Sequence, residues 1–415
     1  MIITRTFHRI RFALSIPWQR TLYIMFFAQF ITAIGFSSIF PFLPLYVKAL
    51  GTQTGLSIEF LAGMTFSAQA LTMMVASPFW GALADRWGRK MMVERAMFGG
   101  TIILLLMAFV RSAEELVLLR AVQGLITGTV AAANALVAAV VPREDTGYAM
   151  GLLQVGLGSG IALGPLIGGG LADLYGYSAA FYVTSAMLFI AGILVWFGVE
   201  EKFNPAGTQA NQGIRFLAGW RDIFSSPGVA TTFELRFISQ LGRMMIVPIA
   251  PLFIELLLVS GEGVNTFTGL VVGSAAATAT ISAVYLGRLG DRIGHRRILI
   301  ASSAIAALLY LPHTLVTSGW QLLLLQASVG VAMGGIVPAI SALLANYTRP
   351  GLEGAVYGLD NSIDAGARSL APLLGSGVAL WFGLRSTFTA TALLFLAGAI
   401  LAAWRLPDSR RVNDE

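Results

Sequence analysis

The sequence has no cysteine, three histidines and only three lysines in 415 residues. The first absence excludes disulfides, thiolate metal sites and thiol nucleophiles. His8, His295 and His313 are scattered and form no H-E-x-x-H pair, so a zinc-protease arrangement is missing. Lys48, Lys90 and Lys202 precede Ala, Met and Phe, where a Walker loop requires Ser or Thr. The glycine-rich GLGSGIALGP yields no G-x-G-x-x-G dinucleotide loop. Charge is also scarce, at 12% of residues against 56% hydrophobic, far from the balance of a soluble domain. These absences argue against an enzyme, a metal, a nucleotide or another cofactor, and against nucleic acid as a partner. They leave a lipid-embedded chain whose energy source is an ion gradient.

What is present is a series of long apolar runs. The N-terminal MIITRTFHRIRFALSIPWQR has four arginines and no acid. The stretch from Leu22 to Leu50 is about 28 residues, too long for a signal h-region and long enough to cross a bilayer. The leader therefore reads as a basic segment before a retained span. Apolar spans are predicted at 21–46, 60–83, 94–110, 115–140, 147–171 and 179–198. Six more follow at 228–256, 265–288, 297–312, 320–345, 354–379 and 386–404. The division is residues 1–199, an N-terminal six-helix bundle with its leader; 200–227, a polar cytoplasmic linker; and 228–415, a C-terminal six-helix bundle.

The basic residues test that count. With both termini in the cytoplasm, 20 of the 27 Lys+Arg lie in inside segments, with the span-edge residues Arg95, Arg288 and Arg297 grouped in loops 2/3 and 8/9. Lys48, Arg111 and Arg385 lie outside, and Arg120, Arg236, Arg243 and Arg368 fall within spans. The halves repeat one another. At a shift of 206, Gly81, Asp85, Arg86 and Gly88 fall on Gly287, Asp291, Arg292 and Gly294, and Gly124 on Gly330. At 207, Pro41, Pro165, Gly168 and Gly176 fall on Pro248, Pro372, Gly375 and Gly383. Two repeats of six spans share one orientation and enclose a cavity along a pseudo-twofold axis normal to the membrane.

GALADRWGRK (81–90), LLRAVQG (118–124) and GIALGPLIGG (160–169) together resemble signatures of the major facilitator superfamily, on helix corner 2/3, span 4 and span 5. The third signature, with IFPFLPLYV and ASPFWGALADR, is similar to the twelve-span drug/proton antiporter branch and to bacterial multidrug efflux proteins of the MdtG type. The resemblance covers nearly the whole chain. It implies an all-α polytopic membrane protein of the bacterial cytoplasmic membrane, with twelve transmembrane helices in two pseudo-symmetric bundles. It implies a conformational gating role for Gly81, Asp85, Arg86, Gly88 and Arg89, with Asp291 and Arg292 as a weaker copy in which His295 replaces the arginine. It also implies an antiporter seal or hinge at Gly160, Gly164, Pro165, Gly168 and Gly169.

The residues carry a reading of their own. An acid at a helix end, such as Asp85, can accept hydrogen bonds in one conformation and lose them in another. Glycines every fourth residue in span 5 share a face and permit close helix approach, while Pro165 permits a kink. Unpaired charge at mid-bilayer costs at least about 2.5–3.5 kcal/mol, so intramembrane charge points to pairing or function. Arg236, Gln240 and Arg243 share a face of span 7, and Asp360, Asp364 and Arg368 a face of span 11, at matching depths. These are the proton-coupling candidates, with spans 7 and 11 expected to be neighbours; a fixed ion-pair network is the architectural alternative. Arg120 belongs to the same set but has only Glu94, Glu114 or Glu115 as acidic candidates. Gln29, Phe36, Gln123, Asn134, Gln240, Arg243 and Gln326 are expected to face a substrate cavity, where arginines favour anionic or neutral substrates. The expected activity is proton-driven efflux of amphipathic small molecules by a monomer, with consequences for antibiotic resistance. Proton-coupled nutrient uptake is the alternative, with a lipid scramblase or membrane receptor behind it.

Overall fold

The computed structural model describes residues 16–201, 228–258, 263–348 and 353–407. The N-terminal leader to residue 15 and nearly all of the linker lie outside the described residues, as does the side chain of Asp85.

Among the described residues there are fifteen α-helices and no strand. In the first half they are α1 (Pro17–Ser37), α2 (Leu43–Leu50), α3 (Ile58–Trp87), α4 (Arg89–Met107), α5 (Ala113–Ile126), α6 (Thr129–Val140), α7 (Thr146–Tyr175) and α8 (Tyr177–Gly198). In the second they are α9 (Val229–Met245), α10 (Ala250–Leu257), α11 (Val264–Ile293), α12 (His295–Tyr310), α13 (Gly319–Tyr347), α14 (Glu353–Phe382) and α15 (Leu384–Arg405). The pairs α1/α2, α5/α6 and α9/α10 each make one broken crossing, so the chain crosses twelve times. Among the described residues, nine crossings are long and apolar enough for a bilayer by composition. The other three are α4, which opens with Arg89, Lys90, Glu94 and Arg95; the interrupted α5/α6; and α14, which carries Asp360, Asp364 and Arg368.

Local geometry repeats with the sequence. The corners α3/α4, α7/α8, α11/α12 and α14/α15 each turn on one glycine, Gly88, Gly176, Gly294 and Gly383, at φ of 95°, 83°, 100° and 87°. That left-handed backbone is strained for residues with a Cβ, and it lets one helix stop and the next begin without a loop. The repeat extends to side chains. The Thr72 hydroxyl donates to the Ala121 carbonyl at 2.7 Å, and the aligned Thr278 donates to Ala327 at 2.8 Å.

The halves meet along α7 against α11 and α3 against α14. A Cβ on Gly273 would stand 2.9 Å from the Ala162 carbonyl, and one on Gly63 would stand 2.8 Å from the Pro372 carbonyl. One end of this seam is closed. There Lys48 pairs with Glu255 at 2.7 Å, joining α2 to α10. Asp173 at the end of α7 accepts from the backbone N–H groups of Asn265 and Thr266 at 3.3 and 2.7 Å, and from their side chains at 2.7 and 2.5 Å. Leu45 joins the apolar core of the second half. The opposite end carries Arg20 beside Glu200, and Pro407 bonded to Tyr347, which packs on Gly228; it is the linker end. There, a Cβ on Gly81, Gly147, Gly151 or Gly287 would meet no described atom within 4 Å. The described hydrogen bonds and ion pairs that join the two halves lie at the far end, away from the linker.

Candidate transport pathway and gating corners

The charged faces of α9 and α14 are brought together as the matching depths suggest, but the partners are selective. Arg236 Nε lies 2.9 Å from Asp360 Oδ1, with both side chains 11% exposed, and its Nη2 donates to Ser341 Oγ on α13 at 3.0 Å. Three helices therefore share one buried charge pair. Asp364 is held instead by Arg368 one turn along its own helix, at 2.7 Å, in a more open position. Arg243 donates to the Gln240 carboxamide oxygen, leaving Arg243 Nε and Gln240 Nε2 buried without hydrogen-bond partners. The cluster holds three arginines against two aspartates.

Arg120 is 2% exposed and pairs with none of the acids considered for it. Its Nε donates to the Thr65 carbonyl at 3.0 Å and its Nη1 to Gln123 Oε1 at 2.6 Å, with the Phe66 ring 5.7 Å away. Of the residues expected along a cavity, Gln29, Gln123 and Gln240 are almost fully packed, Gln326 is buried, and Asn134 and Phe36 are half-buried. Gln123 and Gln240 each hold the arginine three residues away, so both serve as local partners for cations. Gln29 Oε1 is buried with no partner.

At the first gating corner, Gly88 ends α3 and Arg89 begins α4. The Glu201 carboxylate accepts from the backbone N–H groups of Arg89 and Lys90 at 3.0 and 2.8 Å, satisfying donors that a helix start leaves free. Lys90 Nζ donates to the Trp196 carbonyl at 2.9 Å and sits 3.4 Å from Glu94. Arg86 is exposed. In the second copy Arg292 is exposed and Asp291 bonds His295 at 3.1 Å, a pair within α11/α12. Arg296 repeats the role of Lys90, donating to the Ala403 carbonyl at 2.6 Å.

The glycines of α7 do face one way. A Cβ on Gly160 would stand 2.7 Å from the Phe30 carbonyl, one on Gly164 2.7 Å from that of Ile34, and one on Gly168 would overlap Ser38. Gly169 and Pro165 face the other half, where the Pro165 backbone fills the space a Cβ on Gly269 would need. This helix is therefore packed backbone-to-backbone on α1 and α11 at once.

Sequence reasoning did not single out Glu201, Asp173, Ser341, Trp80 or the Lys48–Glu255 pair. Glu201 and Asp173 stand beside helix ends where an acid is a capping signal; the helix each one caps is distant in sequence. Arg95, grouped with the basic loop, lies inside α4 over the Trp80 ring.

The chain matches one family across nearly its whole length, in two segments, residues 25–234 and 232–415. It belongs to the Major Facilitator Superfamily. It is 36% identical over 400 residues to multidrug resistance protein MdtG of Salmonella arizonae, covering 96% of this chain and 98% of that one. To MdtG of Enterobacter lignolyticus it is 36% identical, covering 93% and 92%. Among solved superfamily structures, a bacterial homologue of the lysosomal transporter Spinster, inward-facing and unoccupied, superposes with a TM-score of 0.79 at 15% identity, covering 95% of this chain and 97% of that one. The nucleoside transporter NupG gives 0.79 at 14% identity, covering 93% and 100%. At such identities the likeness establishes the fold. As a superfamily member the chain is a transporter and not an enzyme, a multi-pass protein of a bacterial inner membrane.

Proposed function

We propose that this transporter exports amphipathic small molecules, as a multidrug efflux protein, in exchange for protons. It works as a monomer by alternating access, with both termini in the cytoplasm. The charge pair shared by α9, α13 and α14 supports this reading most directly, because it couples a titratable group to the packing of three helices. A proton on Asp360 discharges the pair and leaves Arg236 with Ser341 alone, which loosens α9 from α14; loss of the proton restores it. Asp364, more open and bridged to Arg368, is placed to give up the proton while the linker end is open, the proton having been loaded from the other side of the membrane in the opposite conformation. With the termini inside, that end faces the cytoplasm, where drug enters. One proton moving through about 100 mV and one pH unit supplies about 3.7 kcal/mol, enough for a substrate gradient of a few hundredfold. Three arginines against two aspartates, with Arg120 in addition, disfavour cationic substrates.

Inside-out vesicles with an imposed pH gradient test the proposal. Wild type should accumulate a neutral or anionic dye and dissipate the gradient in doing so. Asp360→Asn should cut coupled accumulation at least tenfold, and Asp364→Asn should slow it. If both variants transport at the wild-type rate, the proton site is wrong.

A further inference from the structure

The fourth crossing is broken near its middle, and the α6 side of the break gathers uncapped backbone donors, a hydroxyl and a guanidinium. α5 ends at Ile126 and α6 begins at Thr129; Thr127 is extended and Gly128 sits at φ 143°. No side chain caps α6, so its first N–H groups face the break. Thr127 is 6% exposed, and its hydroxyl is buried with no hydrogen-bond partner. Arg95 reaches in from α4: its Nη2 lies 4.0 Å from where a Cβ on Gly128 would stand, and its Nε and Nη1 are buried without hydrogen-bond partners. The guanidinium lies 3.4 Å over the Trp80 ring, and Trp80 is itself pinned by donating to the Leu125 carbonyl at 2.6 Å, at the end of α5. The adjacent acid, Glu94, sits 3.4 Å from Lys90.

The second half has none of this. At the 206-residue shift, Trp80, Arg95 and Thr127 fall on Leu286, Ala301 and Met333, and Gly334 runs through the unbroken α13. The break, the cation and the aromatic platform occur together in one half only. Non-helical backbone at membrane depth persists where it is buried in protein or lines a hydrated cavity, and the start of a half-helix favours negative charge.

We infer that the α5/α6 break is a binding site for the anionic head of an amphiphile, a carboxylate or a phosphate. Its oxygens accept from the α6 N-terminus, the Thr127 hydroxyl and Arg95, while Trp80 walls the start of the apolar tail. The site is separate from the proton-coupling cluster on α9 and α14, and its test measures binding without transport.

The full chain in phosphatidylcholine nanodiscs is titrated calorimetrically with decanoate, with decanol and decyltrimethylammonium as matched tails. Decanoate should bind at least tenfold tighter than either. Arg95→Gln should weaken decanoate at least tenfold, and Thr127→Val, nearly isosteric, about threefold or more. Adding phosphatidylglycerol separates the sources: competition with decanoate in wild type assigns the site to a phospholipid head group, and no competition assigns it to a single-chain solute. Decanoate affinity within twofold of wild type in both variants, or decanol binding equal to decanoate, overturns the inference. Should Arg95→Gln fail to fold, Thr127→Val decides alone.

Discussion

Arg236 and Asp360 meet at 2.9 Å with both side chains largely buried, and removing one member strands the other. Such a loss costs roughly 3–5 kcal/mol, whereas replacing both members with apolar groups of similar volume is often neutral. The double variant Arg236→Met with Asp360→Leu should therefore unfold near the wild-type temperature while losing proton-coupled transport. Retention of both properties would make the pair purely architectural. A contrasting carboxylate is Glu114 at the far end, which accepts from the hydroxyls of Thr52 and Thr54 at 2.8 Å each and from the N–H groups of Gln53 and Thr54 at 2.9 and 3.0 Å. The Thr52 hydroxyl, with those of its neighbours that also donate, holds this carboxyl well below the usual carboxylate range. A lowered value means that the stabilisation is present above the ordinary pKa of about 4.3 and is lost only as pH falls through the lower folded value. Hydrogen exchange at Gln53 and Thr54, corrected for intrinsic rate, should thus be unchanged from pH 8 to pH 5 and should accelerate in Glu114→Ala. A loss of protection in wild type within that window would contradict the assignment.

Helix α7 owes its place to what it lacks. With hydrogen alone at Gly160, Gly164 and Gly168, its backbone lies against carbonyls of α1, and on its other side Pro165 and Gly169 meet α11. Lipid offers no hydrophobic drive between helices, so close van der Waals approach carries the association. Gly164→Ala would put a Cβ 2.7 Å from the Ile34 carbonyl and onto the Ser37 hydroxyl, an overpacking worth ~1–3 kcal/mol. Its apparent unfolding temperature should fall, while Gly170→Ala, whose Cβ meets nothing within 4 Å, should match wild type. Equal melting curves for the two variants would remove the close-packing account. The four-residue glycine period was legible in the sequence. The sharing of α7 between its own half and the other was not, because a periodic stripe says that a face is close-packed but not which helix fills it.

The molecule as a whole is held shut at one end by Asp173 on the first turn of α11 and by Lys48 on Glu255. Alternating access requires these contacts to break when the linker end closes. The absence of native cysteine makes the exchange readable with one added thiol. At Gly287→Cys, at the linker end, a water-soluble maleimide should react readily in the wild-type background and severalfold more slowly once Asp173→Asn weakens the far latch. An unchanged labelling rate would show that Asp173 does not bias the conformational equilibrium.

The linear sequence alone determined the number of crossings, the two-fold repeat, the glycine corners and the charged faces of α9 and α14. Each of these is a property of a segment's own transfer energy or backbone freedom, which composition and spacing express directly. Tertiary structure decided the rest: Asp360 takes Arg236 while Asp364 turns to Arg368, Arg120 settles on Gln123, and Glu201 caps α4. It also set Arg95 over Trp80 at a helix break that the aligned α13 lacks. These outcomes depend on the rotation and tilt of one helix against another, set by many packing contacts at once, and no window along the chain contains them.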